Sequence, residues 1–412
     1  MNVAVVGGGY SGCLAALLLA EQGHRVDLYE AGDALGGILR DAVLPQGRFF
    51  PGCQYINIDP VLMALVDTVE GTTLQRFDHR YGSWNDLFGA VRVHHDFAQP
   101  VVPGPLGALQ PVAEGEQDTL GGRLAAYEAR VAGPLTAWAA RHGAPDALAA
   151  QNAAALQVGR VFYADDAAAM QQAKQQDDRA DRLYGLPRSH FDPPRPLQQA
   201  ALPLDGFDAF IQALQTALQR RGVQIHLQAP VKPLPGADGR IQLQLRQQPI
   251  AADAVVWCAN PTALLQRLGG ERLQSPALRC VNLFARLEGR APEAPVYYQA
   301  FGATHPLLRL FCYGGERPRI TVEALDEAWP LADLVAAAEQ VLHDLGWDLR
   351  LADASLQPQL RYSLLTTHDL HCIERFGRQA ARQGIITGGW QHYGRDPRLH
   401  HIFAEMAAAG LA

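Results

Sequence analysis

Lysine is nearly missing from this chain of 412 residues, because only Lys174 and Lys232 are lysines among its 35 basic residues. Almost every candidate for lysine chemistry is therefore excluded. A positive field is missing too, since the formal net charge is -7, and this disfavours nucleic acid as a partner. No apolar run approaches the roughly 20 residues of a membrane helix, so we expect no membrane partner.

Metal and disulfide patterns are also missing. The histidine pairs His94-His95, His400-His401 and His368/His371 have no carboxylate-histidine pattern beside them, so we expect no metal site. The chain begins with a strand-like run where a secretion signal would stand, and we expect a cytoplasmic protein with reduced thiols. Six cysteines are scattered without a C-x-x-C pair or a zinc spacing: Cys13, Cys53, Cys258, Cys280, Cys312 and Cys372.

What the sequence does contain is a dinucleotide-binding unit at its start. Residues 2–6, NVAVV, are a continuous apolar run, typical of a strand buried on both faces of a parallel sheet. A helix predicted over residues 13–22, a strand over 24–29 and the acid Glu30, suited to a ribose, complete the unit. Between the first strand and the helix, G-x-G-x-x-G is matched by Gly7, Gly9 and Gly12, with Tyr10 and Ser11 inside the motif.

A second glycine pair indicates which dinucleotide is bound. Gly36 and Gly37 follow Glu30 with the spacing E-x5-G-G, which resembles the FAD superfamily of flavin amine oxidases, protoporphyrinogen oxidases and UDP-galactopyranose mutases. The resemblance implies FAD as the cofactor, with both glycine motifs at its pyrophosphate. Arg40 stands close to the place where the amine oxidases carry an arginine after this pair. The resemblance also implies an α/β fold, with a Rossmann-like FAD-binding domain and an inserted, discontinuous α+β substrate domain.

The predicted elements and the resemblance together give domain boundaries. Residues 61–199 lack the strand-helix alternation of the opening and look helical, whereas residues 262–359 contain strand-like runs and one long helix. We expect these two segments to form the substrate-binding domain. The FAD-binding domain would comprise residues 1–60, 200–261 and 360–412.

Two later segments are similar to the remaining FAD-binding parts of the superfamily. Val231 matches a valine near the end of a strand, whose backbone would contact the adenine. Gly388, Gly389 and Trp390 follow a strand-like run and precede a predicted helix. In the superfamily the N-terminus of that helix faces the flavin, where it can stabilise charge.

The branch of the superfamily is not decided by the motifs. Amine oxidases commonly hold a lysine near flavin N5, but Lys174 and Lys232 are poorly placed for this role, so a typical amine oxidase is disfavoured. UDP-galactopyranose mutases close with G-R where this chain has Gly389-Trp390, and the histidine of their early segment is missing from residues 52–57.

We expect an FAD-dependent oxidoreductase that transfers a hydride between a small organic substrate and flavin N5. The alternative is a non-redox nucleotide-sugar mutase that resembles UDP-galactopyranose mutase. A third hypothesis is a binding or chaperone protein that keeps FAD only as structure. The substrate, the electron acceptor and the oligomeric state stay open at this point.

Candidate site residues come from the second lobe and from the closing segment. Arg309 interrupts the apolar run LLRLFCY, and a buried guanidinium needs an anionic partner, which is either a substrate or an internal acid such as Glu323. His392 and Tyr393 follow the closing glycines and are candidates for acid or base. The candidate substrate-binding residues are Gln54, Tyr55, Asn57, Tyr298, His305 and Tyr313.

Overall fold

The structure, a computed structural model, describes residues 1–95, 118–161, 167–183, 199–235, 241–269, 271–275, 277–316 and 318–411. Helices and strands are numbered along the chain. In these ranges no helix combines the length and the apolar character needed to cross a bilayer.

A five-stranded parallel sheet contains the first strand of the chain. Its strands, in spatial order, are β10 (Gln224–His226), β2 (Arg25–Tyr29), β1 (Asn2–Val6), β14 (Ala254–Trp257) and β20 (Ile385–Thr387). β1 is buried from its second residue onward, as expected for a central parallel strand rich in valine. β1 and β20 lie in one sheet although almost the whole chain separates them.

Both faces of the parallel sheet are covered. Val3 and Val5 belong to a core that includes four helices, whereas Ala4 and Val6 point to the other face, as the period of two requires. The helices of the first face are α1 (Tyr10–Glu21), α2 (Pro60–Val66), α8 (Phe207–Arg220) and α12 (Arg395–Ala408). The second face is covered by α11 (Thr367–Ala381) and by a small antiparallel sheet of β11 (Lys232–Pro235), β12 (Ile241–Leu245) and β13 (Gln248–Ile250).

A seven-stranded mixed sheet is the second large element. Its pairs are antiparallel except for one, the parallel pair of the sixth strand with the fifth. The strands, in spatial order, are β19 (Leu349–Ser363), β15 (Ala277–Gly289), β18 (Arg319–Leu325), β17 (Leu307–Cys312), β16 (Val296–Phe301), β7 (Arg80–Asn85) and β8 (Arg92–His95). One face packs on α10 (Leu331–Asp344) in a separate apolar core.

Shorter strands and helices lie outside the two large sheets. The strands are β3 (Ala42–Leu44) paired with β4 (Gly47–Phe49), and β5 (Ile56–Asn57), β9 (Gln199–Pro203) and β6 (Leu74–Asp78) in a three-stranded sheet. The helices are α3 (Leu120–Leu124), α4 (Ala129–Ala140), α5 (Asn152–Ala155), α6 (Ala167–Gln176), α7 (Asp178–Leu183) and α9 (Pro261–Leu264). A 3₁₀ turn spans Val158–Val161 and a π-helical turn spans Leu265–Gly269.

The expected α/β architecture is confirmed, but one part of the prediction is wrong. Residues 61–199 were expected to be helical, whereas residues 74–95 form β6, β7 and β8. The partner of β7 is β16, more than 200 residues further along the chain. Pairing with so distant a strand stabilises a segment whose local pattern is weak. The domain boundaries themselves stay a prediction.

Candidate active site

The glycine loop after β1 allows the strand, the helix and a ligand to approach one another. A Cβ at Gly12 would lie 1.9 Å from the Gly7 carbonyl oxygen, so only glycine lets α1 pass this close. Gly7 itself has φ +102°, and a Cβ there would lie 2.6 Å from the Ala259 nitrogen. At Gly9 no heavy atom of the described residues lies within 4 Å of the Cβ position. This side of the loop is therefore open to a bound group.

The acid and the second glycine pair meet the same loop. Glu30 accepts a hydrogen bond from the Gly8 nitrogen at 2.7 Å. The Gly36 nitrogen donates to the Gly8 carbonyl at 2.8 Å, and a Cβ at Gly37 would lie 3.2 Å from the Gly9 Cα. The two glycine motifs are therefore adjacent at Gly9, where the sequence predicts a pyrophosphate.

Three further predicted cofactor residues surround the loop. Ser11 is half-buried in the first turn of α1. Tyr10 is buried against Phe210 of α8, with ring centroids 6.4 Å apart. Arg40 donates to the Ala34 carbonyl at 3.2 Å and so braces the segment that carries the second glycine pair.

The segment that contains Val231 lies beside Glu30. The Ala229 nitrogen donates to the Glu30 carbonyl at 2.8 Å, which continues the pairing of β10 with β2. Val231 is partly buried in the core on that side of the sheet. The structure thus brings this valine to the edge where the acid lies, and its contact with adenine stays a prediction.

The closing glycines return the chain to the opening loop. Trp390 is buried, and its Nε1 donates at 3.1 Å to the carbonyl of Ala259, the residue beside Gly7. A Cβ at Gly388 would lie 2.7 Å from this Nε1, and Gly389 has φ +62°. The indole ring therefore packs against the glycine loop, and Gly388 and Gly389 leave the space for it.

Arg395, in the first turn of α12, was not among the predicted residues. It donates to the Tyr55 carbonyl at 2.7 Å, and its guanidinium lies 5.9 Å from the centre of the Tyr10 ring. Its Nη1 atom is buried and has no hydrogen-bond partner within the described ranges. A spare cationic donor at a helix N-terminus suits an anionic or carbonyl group of a ligand. Its position six residues after Gly389 is the one sequence signal that could have found it.

One face of the seven-stranded sheet carries a row of buried polar side chains. The pairing register places Asn282, Glu323, Arg309, Gln299 and Ser83 side by side on β15, β18, β17, β16 and β7. All five residues are at most 8% exposed. Their strand neighbours Leu283, Val322, Leu310, Tyr298 and Trp84 point to the apolar core under α10. We call this row and the aromatic rings next to it the polar face.

Arg309 links the polar face to the closing segment. Its Nη1 lies 3.9 Å from Glu323 Oε2, and its Nη2 donates to the Tyr393 hydroxyl at 3.3 Å. Tyr393 belongs to the loop between β20 and α12. Glu323, the internal acid that the sequence offered as a partner, therefore lies beside Arg309. The roles of Arg309 and Tyr393 toward a substrate stay predictions.

Aromatic rings flank the row. The Tyr55 ring centre lies 4.2 Å from that of His79, 5.8 Å from that of Phe311 and 6.2 Å from that of Tyr297. Burial, followed by the charge of Arg160, lowers the pKa of His79 to about 3. His79 is thus neutral near pH 7. His79, Phe311 and Tyr297 were not among the predicted site residues. A single sequence does not say which face of β16 or β17 turns toward the site, and His79 lies between two strands.

Tyr298 and His305 are not brought to the polar face. Tyr298 points to the opposite face of the sheet, where its hydroxyl accepts a hydrogen bond from Trp347 Nε1 at 2.8 Å. His305 lies in the turn between β16 and β17, where its ring is 4.7 Å from that of Trp84. Burial lowers the pKa of His305.

Asn57 and Tyr313 support neighbouring structure. The Asn57 amide donates to Asp396 Oδ2 at 2.8 Å and so ties β5 to the first turn of α12. The Tyr313 hydroxyl accepts a hydrogen bond from the Phe50 nitrogen at 2.7 Å. Gln54 is buried in the same region of the chain as Asn57.

The adjacent residues His392 and Tyr393 contact different parts of the molecule. His392 is exposed, and its ring centre lies 5.1 Å from that of His401 on α12. Burial, together with the charges of His401 and Arg398, lowers the pKa of His392. Tyr393 contacts Arg309, so of this pair the tyrosine is the one that meets the polar face.

Comparison with known proteins gives first the class of domain. A family model described as an NAD(P)-binding Rossmann-like domain matches residues 5–69. This range contains both glycine motifs and Glu30. Among curated proteins, no sequence matches the chain significantly.

Solved structures then give the particular fold. A putative protoporphyrinogen oxidase from Exiguobacterium sp. 255-15 has TM-score 0.62 at 15% identity, over 100% of this chain and 98% of its own. Reduced UDP-galactopyranose mutase has TM-score 0.65 at 13% identity, over 100% and 96%. Putrescine oxidase bound to putrescine has TM-score 0.53 at 15% identity, over 100% and 99%. The chain therefore shares the fold of these three proteins, and the resemblance expected from its motifs is confirmed at the level of the fold.

Proposed function

We propose that this protein is an FAD-dependent oxidoreductase in which a hydride passes between a small organic substrate and flavin N5. The observation that carries the proposal is the hydrogen bond of 3.3 Å between Arg309 and Tyr393. This bond joins the polar face to the segment that closes the dinucleotide-binding part. A substrate held on the polar face would therefore lie beside the cofactor, and such positioning is what a transfer between two bound partners requires.

The residues around the glycine loop fit FAD on three counts. Gly9 has open space on one side, and the N-terminus of α1 offers backbone N–H groups there to a pyrophosphate. Arg395 offers a buried donor that has no partner in the described part of the chain. Glu30, at the end of β2, would accept hydrogen bonds from a ribose. When bound, FAD supplies the redox chemistry, and the protein supplies binding and orientation.

The polar face would hold the substrate. Arg309 would bind a polar or anionic group, with Glu323 balancing the guanidinium charge in this buried setting. The Tyr393 hydroxyl lies beside that cation and would exchange a proton with the substrate. Tyr55 and Tyr297 would flank the substrate with apolar surface. The substrate is thus expected to combine an apolar body with one polar group.

The two lysines support a mechanism without lysine. Lys174 is buried, and its Nζ lies 3.1 Å from Asp181 Oδ1 in a contact between α6 and α7. Lys232 is exposed at the start of β11. We therefore propose that arginine and tyrosine face the substrate. The small-molecule substrate and the cytoplasmic location expected from the sequence remain part of this proposal.

A nucleotide-sugar mutase is the second candidate. Arg309, a buried cation, favours it because a diphosphate would suit a guanidinium. The TM-score of 0.65 to reduced UDP-galactopyranose mutase agrees in fold. Trp390 counts against it, because this buried indole stands where the mutase motif has an arginine.

The visible spectrum of the purified protein tests the proposal. It is recorded aerobically and then anaerobically with amines, amino acids, hydroxylated metabolites and UDP-sugars. Bleaching of the oxidised flavin band by one class supports an oxidoreductase and names its substrate. Tyr393→Phe should slow this bleaching, whereas Tyr298→Phe, on the opposite face of the sheet, should leave it unchanged.

Other outcomes select the alternatives. A flavin that no metabolite reduces, but that supports isomerisation of a nucleotide sugar after dithionite treatment, selects the mutase. A tightly bound flavin without either activity selects a binding or chaperone protein. A colourless protein that cannot be reconstituted with FAD contradicts all three.

A further inference from the structure

Glu271, His368 and Cys372 form a cluster outside the site described above. One ligating atom of each lies within 4.8 Å of those of the other two, and His368 Nε2 is 3.4 Å from Cys372 Sγ. In a tetrahedral zinc site, with Zn–S about 2.3 Å and Zn–N about 2.0 Å, sulfur and nitrogen ligands lie about 3.5 Å apart. The thiol and the imidazole are therefore already spaced like two ligands of one ion.

The spacing of the thiol and the imidazole follows from the helix. His368 and Cys372 are four residues apart on α11, which places both on one face. Cys372 is buried and His368 is exposed, so an ion could reach the thiol from the side of the imidazole. We expected no metal because the sequence pattern paired His368 only with His371. The thiol of Cys372, one helical turn after His368, was not part of that pattern.

The third ligand comes from a segment that is fixed to the same helix. Asp369 accepts a hydrogen bond from the Gln274 nitrogen at 2.8 Å and another from the Ser275 hydroxyl. Glu271, in this segment, forms an ion pair through its Oε1 with Arg375. Its Oε2 is buried and has no hydrogen-bond partner in the residues that the structure describes. A buried carboxylate oxygen without a donor is costly, and a cation would satisfy it.

We propose that Glu271, His368 and Cys372 bind one zinc ion. Nitrogen, sulfur and carboxylate oxygen are the ligand atoms of protein zinc sites, and a water would complete the tetrahedron. The carboxylate would be shared, with one oxygen on Arg375 and the other on the ion. Because the ligands come from two segments of the chain, the ion cross-links the loop before β15 to α11 and stabilises the fold. This site is independent of the proposed flavin chemistry.

Metal titration of the flavin-loaded protein tests the proposal. After treatment with a chelator, zinc chloride is titrated by calorimetry, and one equivalent should bind and raise the thermal midpoint. Cys372→Ser and His368→Ala should each weaken zinc binding by at least about tenfold. Cobalt chloride should give a sulfur-to-cobalt charge-transfer band in the difference spectrum, and this band should be missing from Cys372→Ser.

His371→Ala is the matched control, because it removes an imidazole from the same helix outside the cluster. It should bind zinc like the unaltered protein. The proposal is overturned if the unaltered protein binds no stoichiometric zinc, or if His368→Ala binds as tightly as His371→Ala. His368 is exposed, so its variant remains informative even if Cys372→Ser does not fold.

Discussion

The glycine loop and the polar face, the two regions to which we assign the proposed function, are built in opposite ways. The loop uses only residues 7–37, and its shape follows from side chains that are missing, as at Gly9 and Gly12. The row of polar side chains in the polar face comes from five strands between residues 80 and 325, and its composition follows from the pairing register. Local backbone geometry makes the first region and long-range strand pairing makes the second.

The largest effect should come from two glycines of the loop that are three residues apart. Gly12→Ala places a methyl group 1.9 Å from the Gly7 carbonyl oxygen, so backbone must move. We expect a loss of about 4 kcal/mol or more in the free energy of unfolding. Gly9→Ala meets open space at φ -68°, so it should change stability by less than about 0.5 kcal/mol.

FAD affinity separates the same two variants. Gly9→Ala should fold normally but lose FAD, because its methyl group occupies the side of the loop that is open to a ligand. Urea denaturation of the apoprotein and fluorescence titration with FAD measure the two effects. If Gly9→Ala keeps full FAD affinity, the open side of the loop is not the cofactor site, and the comparison between the two regions loses its functional meaning.

The second effect tests whether the polar face acts as one electrostatic unit. Arg309→Met leaves Glu323 buried without its guanidinium, and such a broken buried pair costs about 3–5 kcal/mol. The double variant Arg309→Met/Glu323→Gln should recover much of this loss, because the buried carboxylate charge is removed together with the guanidinium. A double-mutant cycle by urea denaturation gives the coupling.

An exposed arginine on the same sheet is the matched control for this cycle. The Arg286 and Glu288 side chains form an ion pair at 2.9 Å and are 40% and 54% exposed. Arg286→Met should therefore cost much less stability than Arg309→Met, because solvent screens an exposed pair. Equal losses for Arg286→Met and Arg309→Met would mean that the polar face is not a coupled unit.

The glycine loop was readable in the sequence because each of its steps is encoded within a few residues. The apolar run of β1, the glycines and Glu30 each require a particular local conformation. The predicted helix started at Cys13, whereas α1 begins at Tyr10, a difference of the size expected at helix ends. The helical prediction for residues 74–95 failed because the partner strand β16 is remote in sequence.

The polar face was only partly readable for the same physical reason. Arg309 was recognisable as a charge in an apolar run, and Glu323 as an acid that could pair with it. Choosing between Tyr297 and Tyr298 requires the register of β16, because neighbouring strand residues point to opposite faces. His79 gave no signal, since its burial arises from elements that meet only in the folded chain.

A third effect should appear as acid sensitivity of the polar face. The pKa of His79 is lowered by burial to about 3, whereas the unfolded value is about 6.5. Below pH 6.5 the folded state therefore binds fewer protons than the unfolded state. The stability that the neutral His79 contributes is complete above that pH and is lost as the pH falls from 6.5 toward 3. At pH 5 the loss in the free energy of unfolding amounts to about 2 kcal/mol.

The variant His79→Gln isolates this contribution. Its free energy of unfolding should fall less steeply between pH 7 and pH 5 than that of the unaltered protein, measured by urea denaturation. His142, whose pKa is lowered by burial to about 4, should add a separate contribution away from the polar face. Identical pH slopes for His79→Gln and the unaltered protein would show that His79 is not held neutral by burial.

The smallest effect compares two neighbours in the loop where the two regions meet. Tyr393→Phe removes the hydroxyl that accepts from Arg309 at 3.3 Å, and it should lower turnover by about tenfold or more while FAD affinity stays the same. His392→Ala alters an exposed ring that lies against α12, so turnover should stay within about twofold. Steady-state kinetics with the substrate found by flavin bleaching decide the matter. A larger loss in His392→Ala would move the proton-exchanging group away from the polar face, and a lower FAD affinity in Tyr393→Phe would assign that tyrosine to the cofactor region.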